Sequence, residues 1–203
     1  MPVVRQAQFS DLEGIVCVHK SAFEGFFLTL LGPRFLSKFY SIFIEHSSSS
    51  LIICEDDDNK VVGFAAYTIT PDVFFNFMKK KHGAVLGTLM LPAILMHPLQ
   101  TLRKVIRALK YRGDQTESMS GYALLSSIGV HPSVKGKGIG SQLINFMNND
   151  LRAREVTAVY LTTDVHDNAA TLAFYKKLGF SEHSQFTQSG EREMYRLTNT
   201  LDN

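Results

Sequence analysis

Cysteine is scarce in this chain, and that scarcity excludes the simplest site chemistries. Only Cys17 and Cys54 occur in 203 residues. Both sit among apolar neighbours, and no C-x-x-C or Cys/His ligand spacing accompanies them. A disulfide framework and a structural zinc site are excluded on that count. The reading is of two reduced, buried thiols in a cytoplasmic protein with no metal. The first residues, MPVVRQAQFSDLEGI, lack the apolar core of a signal peptide. No G-x-x-x-x-G-K-[ST] string is present, which excludes a P-loop. No internal repeat is seen. Acidic residues are missing from one long stretch. Residues 73–113 contain no Asp or Glu but eight Lys or Arg: Lys79, Lys80, Lys81, Arg103, Lys104, Arg107, Lys110 and Arg112.

What is present points to a packed domain. With 45% hydrophobic and 20% charged residues, wholesale disorder is excluded. The length suits one domain over residues 1–203, carrying an insertion at about 71–120.

Two segments carry the chemistry. Residues 130–140 read V-H-P-S-V-K-G-K-G-I-G. Before them Leu124, Leu125, Ile128 and Val130 form an apolar run fit for a buried strand. Pro132 ends the ladder, because it has no N–H to give. From about Gly138 the pattern turns helical, with Ile139, Leu143, Ile144, Phe146 and Met147 on one face. A strand, a glycine turn and a helix N-terminus make an anion site, since unpaired N–H groups and the helix dipole both favour negative charge there. Lys135 and Lys137 add positive charge. A dinucleotide fingerprint would need G-x-G-x-x-G, whereas Gly136, Gly138 and Gly140 are spaced G-x-G-x-G. An ordinary glycine-rich turn remains the plain alternative.

The second segment, residues 168–180, reads N-A-A-T-L-A-F-Y-K-K-L-G-F. A β-branched run, V-T-A-V-Y-L-T-T from Val156, precedes it and reads as a strand. Asp167 and Asn168 supply helix-start chemistry, and Gly179 suits the residue after a helix end. Taken by themselves, Asn168 is a helix cap and Tyr175 a core aromatic.

In this order, with one strand between them, the two segments resemble the acetyl-coenzyme A site of the GCN5-related N-acetyltransferase (GNAT) family. The resemblance is strong over residues 124–185, plausible over 1–70, and fails over about 71–120. It implies an α/β fold: a mixed, mostly antiparallel sheet flanked by helices, splayed where the cofactor enters, with a helical basic insertion between the third and fourth strands. It implies acetyl transfer from acetyl-CoA, as cosubstrate, to a primary amine by direct attack through a tetrahedral intermediate. By the same resemblance, Lys135, Gly136, Lys137, Gly138, Ile139 and Gly140 hold the pyrophosphate. Lys135 stands where the family has Gln or Arg. The backbone of Ile128, Gly129 and Val130 serves the acyl group and its oxyanion. Asn168 contacts the cofactor, and Tyr175 protonates the departing thiolate. Some relatives carry a glutamate base where this chain has Thr162-Thr163-Asp164, so Asp164 is the substitute base, or else a cap for the Asn168 helix. His131 and His166 are alternative bases. Glu24, His19 and Tyr122 line the acceptor pocket only by fold analogy.

The acceptor stays open: a nucleotide-linked amino sugar, another small amine, or a protein N-terminus or lysine. A non-catalytic CoA-binding regulatory module is the other class of reading.

The basic insertion has three readings. As the whole chain carries +2 and this stretch +8, the remainder carries −6. The insertion could be a helical lid or homodimer element with a solvated basic face. It could receive an anionic acceptor. It could rest peripherally on an anionic membrane. A spanning helix fits poorly, because Gly87, Pro92, His97 and Pro98 interrupt the uncharged run. No nucleic-acid motif is present, and no nucleic acid is expected as partner. Residues 71 to about 120 read as an irregular stretch with a very apolar middle, within which Leu99, Leu102, Val105, Ile106 and Leu109 make one helical face.

Overall fold

The computed structural model describes residues 2–96, 119–188 and 192–201. One sheet of seven strands organises them. In chain order these are β1 (Val3–Gln6), β2 (Ser49–Glu55), β3 (Val61–Thr68), β4 (Ala123–Val130), β5 (Ala158–Asp164), β6 (Ser181–Gln188) and β7 (Arg192–Thr200). Their order across the sheet is β1-β2-β3-β4-β5-β7-β6. Every neighbouring pair is antiparallel except β4 and β5.

That exception positions the site. β4 and β5 share only the pairs Ala123↔Val159 and Leu124↔Tyr160. Past Leu124, β4 continues to Val130 on β3 alone. Past Tyr160, β5 continues to Asp164 on β7 alone. Two parallel strands that start together and then diverge leave a fork in the sheet. Its inner edges carry backbone N–H and C=O groups with no strand partner.

Helices cover the two faces. On one face lie α1 (Leu12–Ala22), the single turn α2 (Phe27–Leu30), α3 (Pro33–Glu45) and α4 (Pro71–Met96). In α3, Pro33 takes the first helical position, where its missing N–H costs nothing. The apolar set Phe35, Leu36, Phe39, Tyr40, Ile42 and Phe43 is buried, as its spacing predicts. On the other face lie α5 (Ile139–Ala153) and α6 (Ala169–Lys177). Leu143, Ile144, Met147 and Leu151 of α5 pack on Ile52, Val62, Ala65 and Tyr67 of the sheet.

The insertion corrects one expectation. Residues 71–96 are a single 26-residue helix, not an irregular segment. Its buried stripe is Phe74, Phe75, Met78, His82 and Leu86, a helical spacing. It runs antiparallel along α3. Phe74 meets Phe43 with ring centroids 4.5 Å apart, and Lys81 and His82 pair with Glu45. Further on, Leu89 borders a groove with Lys38 and Arg34. Each fully buried phenyl ring gains roughly 2–3 kcal/mol by leaving water, enough to hold α4 against α3. The described part of the insertion therefore lies along the back of α3. Arg103, Lys104, Arg107, Lys110 and Arg112, and the helical face read over Leu99–Leu109, fall outside the described residues. No described helix is long and apolar enough to cross a membrane.

Candidate active site

The fork supplies the first element of a site. The His131 N–H donates to Val62 O at 2.8 Å. Amide direction alternates along an antiparallel pair, so Gly129 points its N–H at β3, while Ile128 and Val130 point theirs into the fork. Of the three β4 residues expected to contribute backbone, two have their amides in the gap. Gly129 contributes by being small. A Cβ there would lie 2.8 Å from Phe64 Cε1 and 3.1 Å from Phe23 Cε2, so the glycine lets both rings close against the strand. Just upstream β4 carries a bulge: Ala66 pairs with Ser127 and Tyr67 with Leu125, leaving Ser126 as the extra residue.

The glycine loop supplies the second element. After β4, residues Pro132–Val134 form a short 3-10 turn. Gly136 and Gly138 then have φ of 84° and 78°. These left-handed conformations favour glycine, with asparagine the residue that next most readily adopts them. Gly138 caps α5 and offers no side chain to do it. The Gln142 N–H donates to Gly138 O, so the N–H groups of Ile139, Gly140 and Ser141 precede the first intrahelical bond. They open toward solvent at the positive end of a 15-residue helix. Lys135 and Lys137 are exposed beside them. Ile139 points its side chain into the core against Gly63, leaving only its backbone for a ligand. Gly140 is small for a packing reason, because a Cβ there would sit 3.1 Å from Phe174 of α6.

The Asn168 helix supplies the third. Asn168 stands at the N-cap of α6 but its side chain does not cap the helix. Its Nδ2 donates to Thr163 Oγ1 and to Asp164 O, both at 2.7 Å. Both amide hydrogens are thus tied to the end of β5, and Oδ1 is left to accept from something else. Tyr175 is 7% exposed, with its ring between Phe174 and Phe180. Burial raises its pKa above the ordinary phenol value. The hydroxyl therefore holds its proton at neutral pH.

Asp164 is engaged differently from the expectation. Both of its carboxylate oxygens accept from Arg192, through Nε and Nη2. Its side-chain partner in this structure is therefore Arg192, and not an N–H of α6. Asp164 anchors Arg192, whose guanidinium lies 5.7 Å from the Phe26 ring centroid. Arg192 thereby links the end of β5 to the α1–α2 turn across the mouth of the fork. Of the other acid–base candidates, His131 bonds Ser133 Oγ at 2.7 Å inside its own turn. His166 pairs with Glu193 at 2.8 Å on the exposed surface. Glu24 is exposed, and Tyr122 is half-buried beside the first-face core.

Sequence reading missed a polar chain on the α1–α3 side of the fork. His19 Nδ1 lies 2.7 Å from Tyr40 Oη, and Tyr40 Oη lies 3.1 Å from Ser127 Oγ on β4. Tyr40 is fully buried and His19 is 3% exposed. The rings of Phe23 and Phe64 flank His19, with centroids 4.8 and 6.2 Å away. Desolvation pushes the His19 pKa down to about 4. An unfolded histidine takes a proton below about 6.5, whereas the folded one resists until near its depressed value. The unfolded state then binds more protons, so stability falls as pH drops from 6.5 toward 4. At about 1.4 kcal/mol per pH unit, acidification from pH 7 to pH 5 should cost about 2 kcal/mol through this residue. Urea unfolding at the two pH values, compared with His19→Gln, isolates that share. Equal pH sensitivity in the variant would show that His19 titrates normally.

Comparison with known proteins follows the same geometry. Residues 104–180, which include β4, the glycine loop, α5, β5 and α6, match the family model described as Acetyltransferase (GNAT) family. The ribosomal-protein-S18-alanine N-acetyltransferase of Escherichia coli superposes with a TM-score of 0.62 at 16% identity, covering 100% of this chain and 96% of that one. A ribosomal-protein-alanine N-acetyltransferase from Brucella melitensis gives 0.65 at 17% identity, covering 98% and 99%. Ard1 from Thermoplasma volcanium gives 0.62 at 14%, covering 100% and 99%. At such identities the likeness is one of fold. A seven-stranded sheet forked between its fourth and fifth strands, with the segment that matches the GNAT family model wrapped around the fork, gives the described residues the fold of those acetyltransferases.

Proposed function

We propose that the protein transfers an acetyl group from acetyl-CoA to a primary amine. One observation carries the reading. The β4–β5 fork opens toward the uncapped, glycine-flanked N-terminus of α5. The α5 N–H groups and the Lys135–Gly140 loop receive the pyrophosphate. Asn168 Oδ1 accepts from an amide of the pantetheine arm. The fork-facing N–H groups of Ile128 and Val130 lie along that arm, and one of them meets the thioester oxygen.

The chemistry then follows. The neutral amine nitrogen attacks the thioester carbon, forming the C–N bond, and the oxygen takes the negative charge against the β4 amide. As the oxyanion collapses, the C–S bond breaks. The Tyr175 hydroxyl gives its proton to the departing sulfur. The nitrogen sheds one proton to water at the mouth of the fork, and one returns to Tyr175 from solvent. Asp164 is assigned no step in this path; its carboxylate holds Arg192.

Calorimetry with acetyl-CoA should show one site per chain. Thiol release should follow when an amine panel is added: amino sugars, polyamines, lysine, and peptides with free N-termini. Binding without turnover on any amine would favour a regulatory CoA-binding module. Absence of binding would remove the reading altogether.

A further inference from the structure

The His19–Tyr40–Ser127 chain ends at the fork. Tyr40 reaches Ser127, next in sequence to Ile128, on the bulged part of β4 where the fork begins. Ser127 is half-buried, and Tyr40 is its only hydrogen-bond partner among the described residues. We infer that the Ser127 hydroxyl, aimed by Tyr40 and His19, is a second hydrogen-bond donor to the carbonyl oxygen of the bound acyl thioester. This rests on the acetyl-CoA reading above and adds a side-chain donor to it. Tyr40 and His19 are positioning residues, and only Ser127 meets the reacting oxygen.

The direction of the chain follows from its far end. His19 Nε2 is buried and has no hydrogen-bond partner among the described residues. Suppose the ring carried its proton there. A donor N–H would then be stranded between Phe23 and Phe64, the rarer and costlier kind of unpaired group. With the proton on Nδ1, His19 donates to Tyr40, Tyr40 donates to Ser127, and Ser127 keeps its own proton for the fork. The same dead end excludes the opposite use. A proton drawn from the amine and passed to His19 would have no exit through Nε2. Burial also opposes the imidazolium that would form. The chain can therefore orient a donor but cannot drain a proton. Ser127 and Ile128 are consecutive, so a side-chain O–H and a backbone N–H would converge from one short segment of strand. Such preorganised donors act where charge develops, without reorganising during the reaction.

The test reads the carbonyl directly and needs no acceptor. Acetyl-CoA carrying carbon-13 at the acetyl carbonyl is bound to the wild type, and its resonance is followed. Hydrogen bonding to the oxygen moves it downfield. In Ser127→Ala the bound resonance should move back toward the free value, with the acetyl-CoA dissociation constant within about twofold. Turnover on any amine accepted by the wild type should fall about tenfold, less than the ~10²–10³ for losing a principal oxyanion donor, since the β4 amide remains. Ser127→Thr keeps a hydroxyl and should restore both readouts. Tyr40→Phe should give an intermediate resonance, because the serine is present but no longer aimed. An unshifted Ser127→Ala resonance overturns the inference while leaving acetyl-CoA binding intact. Loss in Ser127→Ala with no recovery in Ser127→Thr assigns the effect to packing, and also overturns it. If the wild type does not bind acetyl-CoA, the underlying reading fails instead, and the two failures are told apart by that first titration.

Discussion

Tyr175→Phe should lower turnover by about 10²-fold or more while leaving acetyl-CoA affinity and unfolding free energy nearly unchanged. The separation is expected from how the residue is held. Its ring is packed against Phe174 and Phe180, and phenylalanine keeps that packing. Its hydroxyl has no hydrogen-bond partner among the described residues, so removing it breaks no bond that supports the fold. Were Tyr175 only a core aromatic, the substitution would be silent in every assay, since phenylalanine keeps its packing. An acid acts at the transition state, and its loss appears in kcat. Burial raises the hydroxyl's pKa and keeps it protonated, which suits a group that must give a proton to a thiolate. Parallel loss of affinity and turnover would make Tyr175 a binding residue. Full activity would leave the thiolate to be protonated by water.

Much of the fold was legible because short-range rules and tertiary packing agree. The α3 set from Phe35 to Phe43 has helical spacing and is buried on that face. Val61, Val62, Phe64, Tyr67 and Thr68 are β-branched or aromatic, and Val61–Thr68 forms a central strand. The α4 helix was not legible as one regular element, and the reason is physical. Its buried stripe, Phe74, Met78, His82 and Leu86, has clean helical spacing. Exposed apolar residues at Val73, Val85 and Leu91 obscure that stripe, and the run Lys79–Lys81 interrupts it. Gly83, Gly87 and Pro92 each argue against a helix locally. Packing on Phe43 and pairing with Glu45 outweigh those costs.

The candidate site divides the same way. The glycine loop could be read because its chemistry is local: two left-handed glycines before a helix can be seen in a string. The tie from Asn168 to Thr163 was hidden, since a residue at a helix start reads as a cap whichever way its amide turns. The pairing of Asp164 with Arg192 was hidden for a related reason. Arg192 is 28 positions away and reaches it only because β5 pairs with β7. The His19–Tyr40–Ser127 chain joins α1, α3 and β4 across separations of 21 and 87 residues, with no spacing signal to reveal it.

Gly138→Val should weaken acetyl-CoA binding by about 2 kcal/mol or more, roughly thirtyfold in dissociation constant, with Gly138→Asn much closer to the wild type. Space is not the obstacle, because a Cβ at this position would meet nothing within 4 Å. The obstacle is the backbone. Gly138 has φ 78° and ψ 4° at the N-cap of α5. A β-branched residue there is a genuine outlier costing of order 1–3 kcal/mol, whereas asparagine visits the region readily. The valine variant has two ways out. It can keep the turn and carry the strain, which lowers stability. It can also rotate the turn, which misdirects the N–H groups of residues 139–141 to which the proposed function assigns the pyrophosphate. Phosphate recognition by backbone amides depends on their direction, so the second route appears as lost affinity. Titrating both variants with acetyl-CoA, beside urea unfolding of each, divides the cost between the routes. If valine leaves the dissociation constant unchanged, the loop is an ordinary strand-to-helix turn and the pyrophosphate lies elsewhere.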